Sequence, residues 1–339
     1  MAQDAKAFIC GCAGLTLSAD ERAFIALHQP WGFILFRRNI DTPAQVSALV
    51  QSFRGIVDRA DAPVLVDQEG GRVQRMGPPH WPKYPPAARF AELSEIVRND
   101  QLELARLSAR LMAADLADVG INVDCLPVLD VPAPGGHAII GDRAYAADSA
   151  TVAAFGRAVA EGLMEGGVLP VMKHVPGHGR AGADSHLELP VVGADRASLE
   201  AIDFAPFKAL RDLPMAMTAH VVYTALDPNG PATTSAYVVR EVIRGLIGFD
   251  GLLMSDDMSM QALKGSFGER ASATFAAGVD VALHCNGNLA EASGVAEVSP
   301  ILSGRSLERA IGALARLGAV GRPFDPVDAR ARIDLALAT

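Results

Sequence analysis

The sequence predicts an α/β fold, a single (β/α)8 TIM-type barrel, on two observations. Eight short apolar runs recur along the chain with amphipathic stretches between them, and glycine repeatedly stands where a helix should stop, just before the next run. Runs that are apolar throughout are strands buried on both faces of a parallel sheet, and eight of them suggest closure.

In chain order the strands are expected at Ala7–Cys12, Trp31–Arg37, Pro63–Asp67, Ile121–Leu126, Val168–His174, Ala216–His220, Gly251–Asp256 and Val279–His284. Between them, Leu104, Leu107, Leu111 and Ala114 share one helical face, as do Val152, Phe155, Val159 and Leu163. The punctuating glycines are Gly120, Gly166 with Gly167, Gly248 and Gly278. An open doubly wound sheet is the alternative, but no G-x-G-x-x-G follows the first strand to support it. Pro78 to Pro86 reads as a stiff loop after the third strand. No composition shift or Ser/Gly-rich linker marks a boundary, so residues 1–339 are expected to form one barrel domain.

Composition excludes several classes. The 339 residues are 50% hydrophobic and 20% charged, which indicates a packed globular chain and argues against a disordered one. With 30 Lys+Arg against 39 Asp+Glu, the net charge is −9, and no basic block is present, so neither nucleic acid nor anionic lipid is an expected partner. No run approaches the ~18 apolar residues of a membrane span. The apolar stretch Ala7 to Leu15 makes a poor export leader, because Asp4 precedes it and Lys6 alone supplies basic charge. Cys10, Cys12, Cys125 and Cys285 lie inside apolar runs without metal or disulfide spacing, as buried thiols of a reducing compartment do.

A barrel builds its reaction site at the carboxyl ends of its strands, so what each run ends in is the test. Strand two ends at Arg37-Arg38-Asn39, three at Asp67-Gln68-Glu69, four runs out from Asp124 to Asp130, and five ends at Lys173-His174. Strand six ends at His220, seven at Ser255-Asp256-Asp257 and eight at His284-Cys285-Asn286. Arg37, Arg38 and Asn286 read as solvated strand ends, and Asp257 as a turn cap. Seven polar endings together are costly unless they meet partners or a ligand. The Gly-rich segment Lys173 to His186 is the richest, and within it Asp184 and His186 could form a carboxylate–imidazole pair. His174, His178, Asp184 and His186 could instead ligate a metal in a metal-dependent hydrolase, but no acidic bridge is evident, so no metal is expected. A carboxylate at the seventh strand end, faced by an acid/base group on a loop, is the minimal kit for retaining glycoside hydrolysis.

Five ordered motifs, Val66-Asp67-Gln68-Glu69-Gly70-Gly71-Arg72-Val73-Gln74-Arg75, Ile140-Gly141-Asp142-Arg143, Lys173-His174-Val175-Pro176-Gly177-His178 with Asp184-Ser185-His186, Met217-Thr218-Ala219-His220, and Phe249-Asp250-Gly251 to Asp256-Asp257-Met258, resemble glycoside hydrolase family 3. The match is to its bacterial β-N-acetylglucosaminidase branch. That resemblance implies Asp256 as nucleophile and His186, oriented by Asp184, as general acid/base. It also implies that Asp67, Arg75, Arg143, Lys173 and His174 bind the sugar, with Lys173 or Arg143 keeping Asp256 ionised. Val175 stands where the family more often has Phe, and nothing after Val279 matches a motif. The expected activity is removal of terminal N-acetylglucosamine, from 1,6-anhydromuropeptides of cell-wall recycling, by a cofactor-free, cytoplasmic monomer. Phosphorolysis, β-glucosidase activity and a non-catalytic sugar-binding barrel are the alternatives.

Overall fold

Strands apolar along their whole length must be covered on both sides, and a closed ring does this. The computed structural model describes residues 4–93, 100–134, 136, 138–185, 188–318 and 323–338. Its barrel consists of β1 (Lys6–Cys10), β2 (Pro30–Leu35), β3 (Val64–Val66), β4 (Val123–Asp124), β5 (Leu169–Val175), β6 (Met215–Thr218), β7 (Leu252–Asp257) and β8 (Val281–His284). The strands neighbour one another in chain order, all parallel, and β8 closes on β1 through Phe8↔Ala282 to Cys10↔His284. Each overlaps a predicted run. β2 and β5 are buried at every position, as unbroken apolar runs require.

The helices start and stop where local chemistry dictates. Ser18 and Ser266 form capping boxes with Glu21 and Glu269 at the heads of Ala19–His28 and Phe267–Ala277, and Thr42 and Asp148 cap Pro43–Val57 and Ser149–Glu165. Gly120, Gly167, Gly248 and Gly278 all have positive φ, which only glycine adopts without strain, so the punctuation in the sequence is the helix-to-strand turn itself. Several stretches depart from simple alternation. The helix Val238–Ile247 before β7 is wound as a π-helix, a hairpin of Gln68–Gly70 with Val73–Gln74 follows β3, and the segments after β5 and β6 each give one strand to a two-stranded pair, Val191–Val192 with Val222–Tyr223. Pro78 to Pro86 is irregular, as expected, and packs back on the barrel: Tyr84 is buried with its hydroxyl on Asp115 at 2.6 Å.

Inside the ring Ile9, Ile34, Leu65, Val123, Val171, Met217, Met254 and Leu283 meet in one apolar cluster, each contributing about 1.5–3 kcal/mol by burial. The cluster runs on to Leu302, Ala310 and Ala313, so the segment leading into Gly304–Leu314 fills the amino-terminal end of the barrel. Leu302 N donates to Ala5 O at 2.9 Å and Ala7 N to Pro300 O at 2.8 Å, fixing that floor to β1. The polar strand ends are left to the opposite face. No described helix is long and apolar enough to cross a membrane.

Candidate active site

At the carboxyl ends of the strands lies a cavity of about 260 Å³ whose lining includes Asp67, Glu69, Arg75, Arg143, Lys173, His174, Ser185 and Asp256. One wall is an ionic lattice. Lys173, reaching in from β5, donates to Asp67 Oδ1 at 2.8 Å and lies 2.7 Å from Glu69 Oε1. Arg75 Nη2 donates to Asp67 Oδ2 at 2.9 Å. Arg143 grips Glu69 with both prongs, Nε to Oε2 at 2.7 Å and Nη2 to Oε1 at 2.8 Å. Burial disfavours each of these charges, and each is outweighed by its partners. Lys173 and Arg75 hold Asp67 well below the usual carboxylate range, Lys173 and Arg143 lower Glu69, and Asp67 and Glu69 raise Lys173.

Beneath the lattice Asp124 is fully buried, its Oδ1 accepting from Gln68 N at 2.9 Å. Burial drives its pKa well above the ordinary carboxylate value. Beside the lattice, His174 Nδ1 meets Asp130 Oδ2 at 2.7 Å, and Asp130 is held down to about 2 because His174, by charge and hydrogen bond, outweighs its burial. His178 is pushed down to about 4 by burial and by neighbouring His174, so its ring is neutral at physiological pH. Its Nε2 lies 3.2 Å from Ser185 Oγ, while Ser185 O accepts from Ala262 N at 3.3 Å, just beyond β7. The loop carrying Asp184 and Ser185 is therefore fastened at Ser185 both to His178 and to the segment after β7.

Asp256, at the end of β7, lines the same cavity and accepts from Asp257 N at 2.8 Å. Among the sequence-selected residues the structure thus brings together Asp67, Arg75, Arg143, Lys173, His174 and Asp256. Asp184 is half-buried on the fastened loop, and His186 lies outside the described residues. Lys173 and Arg143 direct their hydrogen bonds at Asp67 and Glu69, which binds both cations into the lattice on the wall of the cavity that Asp256 also lines.

Other polar strand ends turn out to be structural. His220 is buried between Thr233 Oγ1 at 2.7 Å and Asp257 O at 3.1 Å. Asp257 caps its turn through Ser259 N, as expected, and also accepts from Cys285 N. Arg38 ties Cys12 O to Cys285 O. Sequence reasoning gave no role to Glu69 or Asp130, and weighed His178 only in a metal-ligand set that it set aside. The available signal was position alone: each is a polar residue at or just past a strand end. Among the described residues no three His, Cys, Asp or Glu side chains converge as a metal-ligand set.

The model of the glycosyl hydrolase family 3 N-terminal domain matches residues 9–314. The chain belongs to glycosyl hydrolase family 3. As a member of that family it is a glycoside hydrolase, and the charged cavity lies where such a barrel carries its chemistry. A β-hexosaminidase of Methylococcus capsulatus is 40% identical over 284 residues, covering 83% of each chain. A β-hexosaminidase of Alkalilimnicola ehrlichii is 38% identical over 280 residues, covering 81% of this chain and 79% of its own. Among solved structures, NagZ from Neisseria gonorrhoeae in complex with N-trifluoroacetyl-D-glucosamine superposes with a TM-score of 0.83 at 30% identity, covering 99% of this chain and 97% of that one.

Proposed function

We propose that this family 3 member is a retaining exo-β-N-acetylglucosaminidase in which Asp256 attacks the anomeric carbon. The observation that carries the reading is a single cavity, sized for one sugar ring, shared by Asp256, Asp67, Arg143, Lys173 and His174. The names of its relatives, β-hexosaminidases, and the glucosamine derivative held by the Neisseria gonorrhoeae structure support the substrate class.

The lattice suits a neutral, hydroxyl-rich ligand. A carboxylate has about four acceptor sites and an ammonium three donors. Asp67 meets one cation on each oxygen, which leaves acceptor sites for sugar hydroxyls, and Lys173 divides two donors between Asp67 and Glu69, which leaves a third. Because the charges already hold one another in place, binding a sugar costs little reorganisation, and the same dipoles stand ready as positive charge develops at the anomeric carbon. Asp256 forms a glycosyl ester as the leaving oxygen takes a proton from His186, whose ring Asp184 orients. Water then attacks, giving its proton back to His186. Imidazole titrates near neutrality, so it can act as acid and then as base without the deep burial a carboxyl group would need.

The physiological substrate in this reading is a 1,6-anhydromuropeptide, processed by a cytoplasmic monomer. Three measurements test it. Trapping with a 2-fluoro sugar is expected to label Asp256, and a label elsewhere or inverted product at first turnover overturns the mechanism. p-Nitrophenyl N-acetylglucosaminide is expected to turn over faster than the corresponding glucoside, and the reverse order overturns the acetamide preference. His186→Ala is expected to slow substrates with poor leaving groups most, and a uniform loss removes the acid/base role.

A further inference from the structure

Three donors converge on one buried carboxylate, that of Asp130, to which the mechanism above gives no part. Asp130 Oδ2 meets His174 Nδ1 at 2.7 Å, while its Oδ1 accepts from the backbone N–H of His174 at 3.2 Å and of His178 at 2.6 Å. The residue is fully buried, and the chain beside it is in register with β5, Leu129 N donating to Lys173 O at 2.7 Å. An ionised carboxylate only accepts, so the hydrogen on the shared edge belongs to His174 Nδ1. In a neutral ring Nε2 then carries the lone pair, and His174 lines the cavity.

We propose that Asp130 is a positioning residue of this site: it fixes His174 in the Nδ1–H tautomer, so that Nε2 accepts from a sugar hydroxyl, and it ties down the turn from His174 to His178. The second half of that role extends along the loop to Ser185, because His178, anchored by its backbone N–H, holds Ser185 through its ring. A carboxylate is needed where an amide would not serve. Asn at this position has one acceptor oxygen for the two backbone donors, and its NH2 group would face His174 Nδ1, an arrangement satisfied only when that nitrogen gives up its hydrogen and Nε2 takes one. The nitrogen offered to the sugar would then be a donor in place of an acceptor. Burial makes the penalty larger, since a mismatched donor pair has no water to turn to.

The identity of the group that Nε2 receives rests on the glycosidase reading; the tautomer does not, which lets the two be tested apart. In the full-length 15N-labelled protein, the imidazole nitrogens of His174, assigned by their loss in His174→Gln, are expected to show Nδ1–H. In Asp130→Asn they are expected to switch to Nε2–H, with kcat/KM for p-nitrophenyl N-acetylglucosaminide falling about 10- to 100-fold. A folded Asp130→Asn protein that keeps the wild-type tautomer or full kcat/KM overturns the proposal. Should that variant fail to fold, the wild-type spectrum, recorded at a pH where the ring is neutral, still decides, because Nε2–H without Nδ1–H there is incompatible with the role. A wild-type protein inactive on every N-acetylhexosaminide would sink the proposed function while the spectrum still tested Asp130.

Discussion

The two ends of the barrel use the same ionic chemistry to opposite effect. On the floor, Asp280 has four donors: Arg244 Nη2 at 2.7 Å and Leu253 N at 2.9 Å on Oδ2, Ser306 Oγ at 2.7 Å and Arg309 Nη1 at 3.0 Å on Oδ1. Every acceptor site of that carboxylate is filled by protein. At the mouth, Asp67 has two donors among the described residues, Lys173 and Arg75, and looks onto a cavity. A saturated carboxylate is a rivet, whereas a half-filled one in a fixed position is a receptor. Counting donors per oxygen separates the two where counting ion pairs does not.

The largest expected effects come from breaking one member at each end. Asp280→Asn is expected to cost about 3–5 kcal/mol in denaturant unfolding, because Arg244 and Arg309 lose their buried charge partner, with kcat/KM near the wild-type value. Glu69→Gln is expected to cost about 10²-fold in kcat/KM, mostly as a raised KM, since Arg143 and Lys173 lose the carboxylate that aims them. Activity lost in the first variant with stability intact would erase the distinction.

A smaller effect separates the ends by pH. The folded protein holds His178 at about 4 through burial and its neighbour His174, against about 6.5 in the unfolded chain, so the unfolded chain binds more protons between those values. Stability from this group is present above about pH 6.5 and is lost as pH falls toward 4, a decline of about 3 kcal/mol. Asp130, held at about 2, adds a further loss below about pH 4. His178→Gln is expected to flatten the limb between pH 6.5 and 4 in urea unfolding; an unchanged limb would place the acid-sensitive group elsewhere. The smallest effect is at the rim. Arg72 pairs with half-exposed Asp142 and also donates to Ala138 O and Ile140 O, steadying the loop that ends in Arg143. Arg72→Ala is expected to raise KM by about fivefold, equivalent to ~1 kcal/mol, and no change would mean that Glu69 alone places Arg143.

Much of this architecture was legible in the sequence because its causes are local. Apolar runs without alternation mark strands covered on both faces, and Gly120, Gly167, Gly248 and Gly278 mark turns that need positive φ; both signals sit within a few residues. The identities of the cavity residues were legible through ordered motifs at strand ends. Their pairings were not. That Arg143 belongs to Glu69, or that Asp130 serves His174 and His178, depends on β3, β4 and β5 ending side by side, and no spacing along the chain records which side chain meets which. Burial was equally hidden. Asp124 and His178 look like ordinary titratable residues in a sequence, and only burial in the surrounding barrel raises the pKa of one and lowers that of the other.

The sealed floor has a consequence for traffic. With Leu302, Ala310 and Ala313 packed into the far end, the described residues leave the pocket no passage through the barrel, so traffic runs by the mouth. In the proposed reaction the sugar ring goes in first and sits deepest, so the cleaved aglycone must depart before the monosaccharide can follow. Turnover then works as a last-in, first-out stack, in which liberated sugar blocks the next customer until it has gone.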